Sequence, residues 1–378
     1  TQRVDVAIIG GGLAGLTLAL QLRQADPGLA ITVFERRAHP APEAAFKVGE
    51  STVEIGAHYF ADVLGLQDHL EQEQIRKFGF RFFFSDGRSD IDRCTEIGVS
   101  RLLPTPSWQI DRGRFENMLG ERARAQGIDF RDGAMVRGVE LGEGSADHRL
   151  AWSRGDAVGE LDARWVVDAS GRAGLLKRKL GLAEANAHDA NAVWWRVDGI
   201  IDPNDWSDDA TWRGRCTPPD RWRSTNHMCG EGYCDAGLHP LEGMDTHDKA
   251  MDWLRRHQPR VAASLDGHAV KDFRFLRHFS HGCRQVFGER WALTGEAGLF
   301  LDPFYSPGSD FIAISNTFVT DLVVRDRAGG AFAPHAAVYG QLYRSFYDNT
   351  LTLYQDQYAL FGDEQVLPVK VIWDYTFY

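Results

Sequence analysis

The sequence predicts an α/β fold built on a largely parallel sheet. Two observations carry this. The apolar run from Val4 to Ile9 stops at three glycines and passes at once into the helix-forming run Leu16 to Leu22, the strand–turn–helix order of a βα unit. Two later apolar stretches, beginning at Arg164 and Trp291, also end in glycine turns, Asp168 to Gly171 and Gly295 to Gly298. In such folds ligands collect beyond the carboxyl ends of the strands.

The first turn has a defined chemistry. Gly10, Gly12 and Gly15 stand at G-x-G-x-x-G spacing. The first glycine permits the turn, the second lets backbone approach a pyrophosphate, and the third lets helix and strand pack closely. The helix N-terminus offers free N–H groups and a partial positive charge to the phosphates. Ile31 to Phe34 reads as the second strand, and Glu35 at its end lies twenty residues past Gly15, where an acid accepts hydrogen bonds from a ribose hydroxyl. Three such turns can hold one long dinucleotide, the last of them at its far end.

Bulk properties narrow the class. With 378 residues the chain buries a large core. A net charge of −11 argues against nucleic acid or an anionic membrane as partner. No apolar stretch approaches the ~18 residues of a membrane span, and no secretory leader is expected. The five cysteines (Cys94, Cys216, Cys229, Cys234, Cys283) form no C-x-x-C pair, which fits a reducing, cytoplasmic setting without a zinc site. His278 and His281 lack a third ligand nearby, so no metal is expected. The 22 Phe, 11 Trp and 10 Tyr exceed what a core alone asks for and suit a pocket for a flat ligand.

Past Glu35 and a Pro- and Ala-rich loop, Gly49 to Thr52 is expected to open a helix running to about Leu64, capped by Ser51 or Thr52 and ended by Gly65. A second helix covers about Gln67 to Ile75. Arg76 to Phe84 alternates basic and aromatic residues, as one strand with two unlike faces. A helix from about Arg114 to Ala125 ends at Gly127. Strands follow at Ile128 to Phe130 and Ala134 to Val139, then a hairpin of Arg149 to Ser153 with Gly159 to Leu161, then the strand at Arg164. Asn191 to Ile201 begins a different, Trp-rich region. His247 to His257 is a helix ended by Pro259, Asp310 to Arg325 is helical, and Ala336 to Leu360 is one long helix. Trp194, Trp195, Trp206, Trp212 and Trp222 either line a substrate pocket or form an aromatic layer on the sheet. Arg112 either meets a phosphate or the ribityl chain, or caps the helix after it.

The segments G10-G-G-L-A-G15, G49-E-S-T52, Q109-I-D-R112, D168-A-S-G171, G295-E-A297 and F300-L-D-P-F-Y-S-P-G308 together resemble the flavin-dependent halogenases, within the wider group of FAD-dependent monooxygenases. The resemblance implies a glutathione-reductase-like FAD-binding Rossmann fold with an inserted β-rich substrate layer and C-terminal helices. The expected organisation is a discontinuous FAD-binding domain of 1–190 and 286–330, a substrate layer of 191–285 and a helical segment of 331–378. It implies cofactor contacts at Gly10, Gly12, Leu13, Ala14, Gly15, Glu35, Ser51, Thr52, Arg112, Val136, Gly295, Glu296 and Gly308.

In that family FAD is supplied reduced, as FADH2, and reacts with O2. A halide is oxidised to hypohalous acid, and a lysine delivers electrophilic halogen to an electron-rich ring. Lys77, within R76-K-F-G-F-R-F82, occupies the lysine position. Such a lysine works only in a dry site, where its pKa also falls; the alternative is a strand lysine facing solvent. Halide contacts fall at Ser306, Pro307 and Gly308. The family uses two backbone N–H groups there, and proline has none, so one halide donor is lost unless Ser306 or Ser309 substitutes. Tyr305 stands where tryptophan-specific members carry a glutamate, which suggests a phenolic or similarly activated substrate, free or carrier-bound.

The family's W-x-W-x-I-P stretch, expected after Gly232-Tyr233, is missing from this sequence, and family members continue with a helical extension beyond the apolar stretch Val371 to Tyr378. Pro307 and the missing stretch favour an alternative, FAD-dependent aromatic hydroxylation; a third reading is a flavin-binding protein without catalysis. No second dinucleotide motif is visible, so a separate flavin reductase is expected as electron donor.

Overall fold

The computed structural model describes residues 2–377 apart from 44–46, 48, 78, 85–86, 99–103, 200, 215–231, 236–240 and 362. At its centre five parallel strands run in the order Asp129–Asp132, Ile31–Glu35, Gln2–Ile9, Ala157–Asp168, Trp291–Leu293. The strands His148–Arg154 and Met135–Glu140 extend the sheet antiparallel from Ala157–Asp168. That strand is continuous for 12 residues, where the sequence reading had a hairpin arm and a separate strand. No glycine or proline stands between Leu161 and Arg164 to break it.

The three glycine turns follow three neighbouring strands, Gln2–Ile9, Ala157–Asp168 and Trp291–Leu293, and so meet at one end of the sheet. Hydrogen bonds tie them together. Ala169 N–H donates to Ile9 O (2.8 Å) and Thr294 N–H to Asp168 O (3.0 Å). Lys177 Nζ reaches from the second turn to Gly298 O in the third (2.9 Å). Helix Leu13–Ala25 is buried from Leu13 through Leu22, as expected of a helix enclosed on all sides. It packs on helix Gly308–Arg327, where buried Asn316 Nδ2 donates to Ala14 O and Thr17 Oγ1, both at 3.1 Å.

Three local expectations are corrected. Helix Glu54–His58 carries Val53, not Ser51 or Thr52, at its N-cap, and no side chain caps it. The Thr52 hydroxyl instead donates to Trp108 O and accepts from Trp108 N–H, both at 2.8 Å. The stretch from Arg76 is two short strands, Ile75–Arg76 and Arg81–Phe84, paired with different partners; Gly79, at φ +145°, divides them. Helix His247–His257 ends as expected, and Pro259 then opens a further helix, Pro259–Leu265, because proline is tolerated in a first helical turn. The long C-terminal helix stops at Leu351, and a separate helix, Val366–Phe377, follows.

Beside the main sheet lies a three-stranded antiparallel sheet, ordered Gly232–Asp235, Ala190–Val197, Val270–Leu276. Trp195, Trp206 and Trp212 share an apolar cluster with Ile201, Met251 and Leu265. Trp194 packs in another with Phe279. These four tryptophans therefore form packed layers, the second of the two readings; Trp222 and the Gly230–Glu231 dipeptide lie outside the described residues. Among the described residues no helix is long and apolar enough to cross a membrane.

Candidate functional site

The glycine loop explains its own spacing. Gly10 has φ +111°, and a Cβ there would stand 2.3 Å from Ala169 O. A Cβ at Gly15 would stand 1.9 Å from Gly10 O. Gly12 differs: a Cβ there would have as nearest neighbours Glu116 Oε1 at 3.8 Å and Lys47 Nζ at 3.9 Å. A Cβ at Gly12 would thus make only ordinary contacts in this cradle at the N-terminus of helix Leu13–Ala25, the polarity that favours an anion. Glu35 stands beside it, its carboxylate accepting Gly11 N–H and Arg37 N–H, both at 2.8 Å.

Two basic side chains line the same end. Arg112 binds Glu116 through Nε (2.9 Å) and Nη2 (2.5 Å), and Lys47 binds the other Glu116 oxygen. Glu116 Oε1 also accepts Leu13 N–H at 3.2 Å. Against the opposing effect of burial, Arg112 and Lys47 hold the Glu116 carboxyl below its ordinary range. Arg112 is thus held by an acid four residues on, and the cap of helix Arg112–Ala125 is Asp111.

Beyond the cradle a cavity of about 80 Å³ is lined by Leu13, Glu50, Ser51, Arg112, Glu296 and the loop Leu299–Pro303 continuing at Ser306–Ser309. Burial pushes the Glu296 carboxyl up. Ser306 takes a left-handed φ of +60°, which a non-glycine residue adopts only where surroundings impose it. Pro307 then caps helix Gly308–Arg327. Among the described residues, the N–H groups of Gly308 and Ser309 have no backbone partner, and the buried Ser309 hydroxyl has no hydrogen-bond partner at all. Two N–H groups without a backbone partner, and a buried hydroxyl packed beside Gly56, therefore lie at this helix start although Pro307 supplies no donor.

A second cavity, about 300 Å³, adjoins the first. Lys77, Phe80, Phe82, Tyr305, Asp374 and Tyr375 are among its walls. The dividing wall is short. Ser51 faces the first cavity and Val53 the second; Ser306 faces the first and Tyr305 the second. Lys77 Nζ donates to Ser51 Oγ (2.6 Å) and Thr52 O (3.1 Å) and lies 4.1 Å from the Phe80 ring centroid. Burial pushes the Lys77 ammonium down to about 8, with Glu54 and Asp310 opposing.

Residues 3–217 match the FAD binding domain family. The chain belongs to that family. FAD is its cofactor, and the glycine turn at the start of helix Leu13–Ala25, where a Cβ at Gly12 would meet nothing closer than 3.8 Å, fits a dinucleotide phosphate. The chain is 27% identical to the flavin-dependent halogenase chlA of Dictyostelium discoideum, over 84% of this chain and 60% of that protein. It is 27% identical to a 1H-pyrrole-2-carbonyl-[peptidyl-carrier protein] chlorinase of Pseudomonas fluorescens, over 80% of this chain and 72% of that protein. This chain thus spans about 60% of the length of chlA. The crystal structure of halogenase PltM with phloroglucinol and FAD superposes with a TM-score of 0.79 at 17% identity, covering 98% of this chain and 79% of that one; it shares the fold.

In this flavoprotein the residues expected at the cofactor separate into two groups. Gly10, Gly12, Leu13, Ala14, Gly15, Glu35, Ser51, Arg112, Gly295, Glu296 and Gly308 lie on the cradle or the flavin-side cavity or at the turns bordering them. Thr52 is buried with its hydroxyl engaged by Trp108, and Val136 is buried in strand Met135–Glu140 opposite Trp152. Sequence reasoning missed Asp374 and Tyr375, which reach the second cavity from helix Val366–Phe377; nothing in their local pattern announces a pocket. It also missed Glu116, although its (i, i+4) spacing from Arg112 is the signal of a helical ion pair.

Proposed function

We propose that this flavoprotein is the core of a halogenase that uses reduced FAD, O2 and halide on an electron-rich, phenolic aromatic ring, with Lys77 as the catalytic residue. The observation that carries the reading is the pair of back-to-back cavities with Lys77 bonded across their wall to Ser51. Bound reduced FAD supplies the activation of O2 that oxidises halide. Gly308 N–H, Ser309 N–H and Ser309 Oγ hold the halide at the positive end of a 20-residue helix. Lys77 donates a hydrogen bond to the small oxidant reaching its cavity and directs the halogen at a ring held among Phe80, Phe82, Tyr305 and Tyr375. A substrate kept apart from the flavin meets a diffusible oxidant more readily than the flavin itself, which favours halogenation over hydroxylation. The phenolic substrate is supported by a similarly folded halogenase that binds phloroglucinol. Electrons come from a separate flavin reductase, and a carrier-borne ring is the alternative to a free one, since a relative acts on a carrier-bound pyrrole.

The test is product formation with FAD, a flavin reductase, NADH, O2 and bromide over a panel of phenols. Brominated products support the reading; oxygen insertion without bromine replaces it with hydroxylation, and FAD binding without any product leaves a binding protein.

A further inference from the structure

A buried charge cluster joins the flavin-side cavity to the three-stranded sheet. Arg196, on strand Ala190–Val197, has its side chain 8% exposed. Its guanidinium meets Asp272 Oδ2 through Nε (3.1 Å) and Nη2 (2.8 Å), and Glu50 Oε1 through Nη1 (2.9 Å). Asp111 Oδ2 lies 3.5 Å from the same Nη1. Three carboxylates thus surround one guanidinium, an excess of negative charge that burial makes costly. Of the three acids only Glu50 lines the cavity. Its Oε1 is taken by Arg196 and by Arg112 N–H (3.1 Å), whereas its Oε2 has no partner among the described residues. Arg112 and Glu296 line the same cavity.

We propose that Glu50 is a redox-linked proton acceptor: Oε2 takes up one proton when reduced FAD occupies the adjoining cavity and releases it when oxidised FAD does. The O–H bond forms with a proton from solvent, and no electron moves on the residue. The reduced flavin ring is an anion near and above neutral pH and the oxidised ring is neutral. A like charge in a dry site raises a carboxyl's proton affinity, so the pocket accepts the anion by neutralising one of its own. Glu50 is poised for this, since burial already pushes it up to about 7. It is a positioning residue for charge and touches no reacting atom of the substrate. The inference rests on FAD binding and not on halogenation.

The experiment is anaerobic calorimetric titration of the FAD-free protein at pH 8, in two buffers of different ionisation enthalpy, with reduced and then oxidised FAD. Reduced FAD is expected to bring an uptake approaching about 0.9 proton, the fraction of a carboxyl titrating near 7 that is ionised at pH 8, and oxidised FAD an uptake near zero. Glu50→Gln is expected to abolish the difference. Equal uptake with both forms, or an unchanged difference in Glu50→Gln, overturns the proposal. Should Glu50→Gln fail to fold, the infrared difference spectrum of the wild-type holoprotein decides: a protonated-carboxyl band on reduction supports it, and no such band overturns it. A protein that halogenates nothing still gives this readout.

Discussion

Lys77 and Ser51 are joined by a 2.6 Å hydrogen bond that spans the boundary between two cavities. Ser51 lines the smaller cavity, Lys77 the aromatic one. The lysine is fixed by three oxygens and a ring: it donates to Ser51 Oγ and Thr52 O, its own N–H donates to Ser107 O (2.8 Å), and Phe80 lies over its ammonium. Thr52 is in turn locked to Trp108.

Lys77→Ala is expected to lower brominated product by about a hundredfold or more, the usual cost of losing a positioned proton donor. FAD affinity, read by fluorescence quenching, should change far less, because Lys77 reaches the flavin-side cavity only through its bond to Ser51 Oγ. Retained bromination would remove Lys77 from the mechanism.

The same lysine sets a pH dependence. Burial lowers its folded-state value to about 8, so it is an ammonium below that pH and an amine above. Product formation at saturating reduced FAD should fall as pH rises through about 8, with flavin reoxidation by O2 continuing. A rate that climbs through the same range would mean that the free amine delivers the halogen.

Ser309→Ala separates halide binding from folding. The hydroxyl is buried and unpartnered, so its removal should leave Tm unchanged or raise it by the equivalent of up to about 1 kcal/mol. The halide KM should rise about tenfold, the loss of one hydrogen bond to a charge, with FAD affinity unaltered. An unchanged halide KM would place the halide elsewhere.

Asp310 offers a stability test. Its Oδ1 accepts Gly56 N–H at 2.7 Å, and burial pushes its carboxyl up to about 7. A raised value means stability is fully present below the unfolded-state value near 3.8 and is lost as pH rises through about 7. Asp310→Asn should therefore flatten the decline of Tm between about pH 4 and 8, by an amount on the order of a few kcal/mol. Parallel Tm profiles for variant and wild type would contradict the assignment.

Gly12→Ala and Gly15→Ala should fail differently. The Gly15 Cβ would collide with Gly10 O at 1.9 Å, so that variant is expected to lose soluble expression or several degrees of Tm. The Gly12 Cβ meets nothing closer than 3.8 Å, and its φ of −86° suits any residue. Gly12→Ala should fold with wild-type Tm and bind FAD at least tenfold more weakly, by equilibrium dialysis.

The features fixed over short stretches were legible in the sequence. The βα turn at Gly10 to Gly15, the acid at Glu35 and the later glycine turns depend on neighbouring residues, on what a Cβ would hit and on where a β-branched run stops. Lys77 and the Phe300 to Gly308 loop came from a resemblance rather than from periodicity. Local patterns misjudged the Ser51 and Thr52 hydroxyls, because Lys77 and Trp108, 26 and 56 residues away, outbid the adjacent helix for them.

By itself the sequence determined the glycine turns at the strand ends, since glycine spacing and strand periodicity act over a few residues. Only the tertiary structure decided that Asp374 and Tyr375 wall the Lys77 cavity and that Arg196 gathers Glu50, Asp111 and Asp272. It also left the Ser309 hydroxyl without a partner. These are contacts between segments far apart in the chain, made where burial removes water and forces polar groups either to find partners or to go without them.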